Sequence, residues 1–179
     1  HNRCRRQRQM CIRDRLKDGQ ILVKVLYLSF DPTQRGWLND VKSYVPPVKI
    51  GEVMRASSVG QIIETKDENF SIGDLVMGTF GWQEYAAVDS SSGLLPIQKL
   101  PAGIPPTSAL SIYGITGLTA FFGMIDIGQP KEGDTVLVSG AAGATGSVAG
   151  QIARIHGAKS VIGIAGGAEK CLSLIHISE

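Results

Sequence analysis

"TVLVSGAAGATGSVAGQIARI", residues 135–155, decides the fold. It opens on a continuous apolar run, Thr135 to Ser139, of the kind a parallel strand buried on both faces requires. A turn of glycine and alanine follows, and then Val148, Ile152 and Ile155 recur on one helical face with Ala149 and Ala153 beside them, so the helix can pack on a sheet. In Ala141-Ala142-Gly143-Ala144-Thr145-Gly146 the G-x-G-x-x-G spacing is met with alanine at the first position. The second glycine of that pattern is the strictest demand, because backbone must approach a pyrophosphate where a Cβ would intervene, and the third lets helix and strand touch. Gly143 and Gly146 supply them, and helix N-terminal amides with the helix dipole would then hold the phosphate charge. Plain packing also produces small-residue turns before amphipathic helices. A second apolar run, "SVIGIAGG" at 160–167, completes a β-α-β unit and favours a dinucleotide.

The end of that second run bears on which dinucleotide. Roughly 20 residues past the glycines, an acid accepting from the ribose hydroxyls selects NAD, whereas a cation accommodates a 2′-phosphate. The strand ends "AGGAEK", with no acid at its tip and with Lys170 four residues beyond Gly166. That favours NADPH. Glu169 stands beside Lys170, and a lysine there equally suits a solvated helix start.

Upstream, from Asp18 to about Lys99, short apolar runs alternate with Gly, Pro and Asp. "GQILVKVLYLSF" has period-2 character, with Val23, Val25 and Tyr27 on one face and Leu22, Lys24 and Leu26 on the other. "SSVGQIIETK", "GDLVMGTF" and "WQEYAAV" read as further strands, and Gly73-Asp74 as a turn. Several short strands at this spacing suggest a small barrel or sandwich. After "PAGIPP" the texture changes: Thr107 or Ser108 is positioned to cap one helix over 109–128, weakened by Gly114 and Gly117 and stopped by Gly128 and Pro130.

Both ends differ from this body. "HNRCRRQRQMCIRDR" carries six arginines and one acid, which suggests a nucleic-acid arm or a transit peptide at face value. A codon argument sets both aside. "MCIRD" can be written ATG TGT ATA AGA GAC, followed by AG, and the reverse complement translates as Leu-Ser-Leu-Ile-His-Ile, the same residues that stand directly after Cys171. Residues 1–15 and 172–179 thus resemble translated read-through of a sequencing adapter entering from opposite ends, and the body is expected to be a fragment of a longer parent, poorly folded and inactive by itself. Without them the chain has 12 Lys+Arg against 14 Asp+Glu, so no basic surface for nucleic acid survives. Cys171 and His156 are then the only cysteine and histidine, too few for a disulfide framework or a His/Cys metal cluster. No apolar run approaches the roughly 20 residues that span a bilayer. The body, 43% hydrophobic and 19% charged over the whole chain, reads as cytoplasmic with no membrane partner.

"DPTQRGWL", "YVPPVKIGEVMRASSVGQI", "FSIGDLVMGTFGWQEYA", "GLTAFFG" and "GDTVLVSGAAGATGSVAGQIA", in that order, resemble the medium-chain dehydrogenase/reductase superfamily. Within it they are most similar to the zinc-independent, NADPH-dependent alkenal double-bond reductases, also called prostaglandin reductases or leukotriene B4 dehydrogenases. The resemblance implies an α/β chain: a GroES-like β-rich domain at 16–104, incomplete as a barrel, and a truncated Rossmann-type domain at 105–171. It implies hydride transfer from NADPH to the β-carbon of an enal or enone, with hydrogen-bond donors stabilising the charge that gathers on the carbonyl oxygen. Gly143, Ala144, Thr145 and Gly146 match the pyrophosphate turn, and Gly166 and Lys170 the adenosine-phosphate contacts. Thr119 and Met54 match positions near the nicotinamide and the cleft, where core packing is the alternative role.

The zinc-dependent relatives carry Gly-His-Glu near "IGEV"; here Gly51-Glu52 lacks the histidine, and no metal ligand set is expected. Thr33 stands where many members place a pocket tyrosine, and Tyr113-Gly114-Ile115-Thr116 replaces a proline-containing turn. The family's late tyrosine, which donates to the carbonyl, would lie in a downstream part of the parent, leaving the catalytic residue unassigned. Tyr27, Tyr44, Tyr85 and Tyr113 read as core or interface residues. The full-length parent is expected to be a homodimer. A quinone oxidoreductase of the same superfamily, or a non-catalytic NADPH-binding sensor or scaffold, would keep the same glycine turn.

Overall fold

A computed structural model describes residues 16–91 and 96–174. The extension at 1–15, and residues 175–179 of its counterpart, lie outside the described residues. The chain divides into two compact units, one ending at Leu110 and the other beginning at Ser111.

The first unit is a five-stranded antiparallel sheet. Its strands are β1 (Gln20–Leu28), β2 (Ser58–Thr65), β3 (Leu75–Gly78), β4 (Tyr85–Asp89) and β5 (Gln98–Lys99), in the order β4-β1-β2-β3-β5. Ile21, Val23, Ile62, Val76, Phe80 and Ala86 form its core. Full burial of each large aliphatic side chain contributes about 1.5–3 kcal/mol, so these few positions hold the sheet together. The simple alternation expected of β1 does not persist. Its pairing with β2 shifts register between Leu22 and Val23 and again between Val25 and Tyr27. An extra residue in one strand re-aims the side chains beyond it. Ile21, Leu22 and Val23 are therefore all buried, while Tyr27 stands 46% exposed rather than sharing the core face with Val23. Gly73 turns with φ +96 as expected, and β5, a strand too short for a sequence signal, is fastened by the Leu100 N–H donating to Leu75 O and by a 2.8 Å ion pair between Lys99 and Asp74. A short helix, α1 (Thr33–Gly36), follows β1.

The single helix expected over 109–128 is broken. Thr107 and Ser108 lie inside a 3-10 turn, Pro106–Leu110, and cap nothing longer. The α-helix proper, α2 (Ile115–Phe122), begins from Gly114, whose extended backbone makes it the N-cap, and runs into a π-helical stretch, Gly123–Gly128. Residues 111–114 fold back on α2: the Gly117 N–H donates to Ser111 O, and a Cβ on Gly117 would lie 1.7 Å from the Ile112 carbonyl oxygen. That approach needs glycine and excludes a continuous helix. Gln129 ends the stretch in the left-handed region, φ 47, with its N–H on Met124 O.

Then come β6 (Thr135–Ser139), α3 (Ala144–Ile155), β7 (Ser160–Ile164) and α4 (Ala168–Leu172). β6 and β7 pair in parallel, Thr135 opposite Ser160 through Ser139 opposite Ile164, so the unit is β-α-β. Val138, Ala141, Ala153, Ala158, Val161 and Leu174 make its core. The buried face of α3 is the alanine side of the expected one, with Ala149 packed against that core. Gly150 and Ala153 are buried, Val148 and Ile152 are half-buried, and Ile155 is 80% exposed. Small residues let the helix axis come closer to the sheet than the bulky row would. The architecture is α/β, a β-rich unit of the GroES-like type followed by a Rossmann-type unit.

Candidate functional site

The glycine turn is built from backbone hydrogen bonds. Gly140 adopts φ +60, and its carbonyl accepts the Gly143 N–H at 2.8 Å. The Ala141 N–H donates to Ile164 O at 3.0 Å, which fastens the turn to the end of β7. Gly143, extended at φ −85 and ψ 169, is the N-cap of α3 and brings no side-chain cap. The first-turn amides of Ala144, Thr145 and Gly146 have no partner within the helix, so their partial positive charge is available to an anion. A Cβ on Gly146 would meet Gly140 O at 2.4 Å and Ala141 Cα at 2.8 Å. Both obstacles are main chain, so no side chain fits between helix and strand there. A 12-residue helix thus opens beside the C-terminal ends of two parallel strands, the position where α/β sheets bind phosphates. These residues fit a dinucleotide pyrophosphate.

β7 ends beside this turn and leads through Gly166, whose Cβ position is open space, and Gly167, φ +87, into exposed α4. Glu169 and Lys170 both lie on that helix, the acid in its first turn and the lysine in its last. Gly143 to Gly146, Gly166 and Lys170 thus share one end of the β6–β7 sheet.

The first unit holds a cleft of about 710 Å³. Phe30, Leu38, Val48, Ile50, Met54 and Trp82 give it apolar walls, with Asp31, Arg35, Lys49 and Glu52 among its polar lining. The end of β1 delivers Phe30, α1 delivers Gln34 and Arg35, and the turn after β3 delivers Trp82. Gln34, only 4% exposed, donates its side-chain amide to Ser29 O at 3.1 Å and fixes α1 against the strand end. Met54 lines the cleft; Thr33 does not. The Thr33 hydroxyl lies 2.7 Å from the Tyr44 phenol, which also accepts from Trp37 Nε1 at 3.1 Å, and Arg55 stacks over the Trp37 ring while donating to Pro46 O. Thr119 lies on α2 in the other unit, exposed, with its hydroxyl donating to Ile115 O at 2.7 Å.

Sequence reasoning missed Phe30 and Trp82, whose rings stack with centroids 5.5 Å apart. No periodicity joins two aromatics so far apart in the chain; the available signal was an aromatic directly after a glycine turn in "GTFGW". Among the described residues no three His, Cys, Asp or Glu side chains are placed to hold a metal ion, and no helix is long and apolar enough to cross a membrane.

Residues 12–97 match the family described as the N-terminal domain of oxidoreductase. The NADPH-dependent curcumin reductase of Escherichia coli (strain K12) is 43% identical over 154 residues, 86% of this chain and 44% of that protein. Prostaglandin reductase 1 of Bos taurus is 39% identical over 155 residues, 87% of this chain and 45% of that protein. The chain therefore spans about half the length of the curated relatives it matches. The crystal structure of CurA in complex with NADPH from Vibrio vulnificus superimposes with a TM-score of 0.77 at 43% identity, covering 88% of this chain and 46% of that one. The relatives this chain matches are NADP-dependent oxidoreductases of the medium-chain dehydrogenase/reductase superfamily, curcumin and prostaglandin reductases among them.

Proposed function

We propose that the full-length parent of this chain binds NADPH at the glycine turn and reduces the carbon-carbon double bond of α,β-unsaturated aldehydes or ketones. The observation that carries this reading is the α3 N-terminus behind Gly143, uncapped by any side chain and hydrogen-bonded through Ala141 to the strand that leads to Lys170. Amides of Ala144, Thr145 and Gly146 hold the pyrophosphate, and the Lys170 ammonium meets the 2′-phosphate. When bound, the nicotinamide supplies the hydride. The apolar walls around Met54 take the acceptor's hydrocarbon and keep water from it, while the polar lining near Arg35 and Lys49 leaves room for a polar end. The names of the relatives, a curcumin reductase and prostaglandin reductases, support a small conjugated acceptor as substrate.

Titration of nicotinamide fluorescence tests the cofactor. NADPH binds at least about tenfold more tightly than NADH, a difference of about 1.4 kcal/mol, and Lys170→Ala removes the preference. Equal affinities in the unaltered chain would overturn the assignment. Turnover of the full-length parent with NADPH is then compared for an enal and a quinone, and faster reduction of the quinone would move the reading to a quinone oxidoreductase.

A further inference from the structure

Phe30 and Trp82 line more than the cleft. The same two side chains also line a second groove of about 580 Å³, which runs along Leu26 and Leu28 at the exposed end of β1. The stacked rings, inclined by 28°, are the wall common to both spaces. The Trp82 backbone is fixed, its N–H donating to Met54 O at 2.9 Å, yet its side chain is 43% exposed and that of Phe30 is 82% exposed. Side chains so lightly packed change rotamer in picoseconds to nanoseconds, so this wall can open while the backbone stays still. Beyond it the groove is lined by Val25, Leu26, Tyr27 and Leu28, with Gln83 and Glu84 as its polar lining.

Resting on the reading of the cleft as the acceptor site, we propose that Trp82, stacked on Phe30, sets the length of substrate the protein accepts. Acceptors whose hydrocarbon fits the inner cleft bind with the rings together. Longer chains displace the indole and lay their tails along Leu26 and Leu28.

The test uses the full chain and a homologous series of saturated straight-chain methyl ketones, which cannot be reduced at a double bond, titrated by calorimetry. For the unaltered chain, affinity rises about fourfold with each added methylene until the inner cleft is full, then levels off. In Trp82→Ala the rise continues past that length, and an unchanged circular dichroism melting curve reports that the sheet is intact. Adding Leu28→Glu to Trp82→Ala restores the plateau, because a charge on the groove floor rejects an alkyl tail. Trp82 emission provides a second measurement that does not depend on the alanine variant. In Trp37→Phe it shifts to the red with long ketones and not with short ones. A series without a plateau, a plateau unmoved by Trp82→Ala, an emission blind to chain length, or no ketone binding would overturn the proposal. The reductase reading fails separately, by absence of NADPH oxidation with an enal in the full-length parent, since no step of the ketone series involves hydride.

Discussion

Gly143 and Gly146 answer to different neighbours. A methyl group on Gly146 would strike the Gly140 carbonyl and Ala141 Cα, whereas one on Gly143 would find its nearest atom, Gly140 O, at 3.1 Å. Gly146→Ala therefore strains the unit itself and is expected to destabilise it by about 1–3 kcal/mol. Gly143→Ala, at φ −85, keeps the fold and weakens NADPH binding at least about tenfold. Circular dichroism melting paired with NADPH titration separates the two outcomes. The sequence motif already assigned Gly143 to the ligand and Gly146 to the approach of helix and strand; the structure adds the atom that Gly146 meets, the Gly140 carbonyl oxygen. Met54, matched through its place in "GEVM" to a position near the nicotinamide and the cleft, lines the cleft of the first unit. The Phe30–Trp82 stack was not legible, since tertiary packing alone brings those rings together.

Among elements, β1 to β4 and the β-α-β unit could be read from alternation, apolar runs and turn glycines, because each signal is local. The stretch 109–128 could not, because the carbonyl of Ile112, rather than helix propensity, decides where α2 begins. Its far end carries a residual strain at Gln129, a side-chain-bearing residue at φ 47. Gln129→Gly is expected to stabilise the chain by about 0.5–1 kcal/mol, measured by denaturant unfolding. At the β3–β5 edge, the hydrogen bond from Lys99 and then the Ser71 amide hold the Asp74 carboxyl below the ordinary aspartate range. The folded-state value is the lower one, so this contribution is present at neutral pH. It is lost as pH falls through the ordinary aspartate range toward the folded value. Protection of the Leu100 amide, corrected for intrinsic exchange, should decline across that window, and Asp74→Asn should flatten the decline.

At the scale of the molecule, Leu137 and Ile162 are direct partners across the β6–β7 ladder, yet they are 63% and 50% exposed. Adjacent apolar side chains on an open sheet face favour self-association. Light scattering should rise with protein concentration, and Leu137→Thr with Ile162→Thr, which keeps strand-forming residues in place, should reduce that rise. A concentration dependence unchanged in the double variant would place the contact elsewhere.

The division of the chain between Leu110 and Ser111 has a consequence for how substitutions combine. Among the described residues, no buried side chain belongs to both the Ile21–Ile62 cluster and the Val138–Val161 cluster. Cavities opened in separate clusters share no partners, and their effects add to within about 0.3–0.5 kcal/mol. Variation in one core can therefore accumulate without reference to the other, so the unit that holds the cleft is free to change its walls while the glycine turn stays fixed.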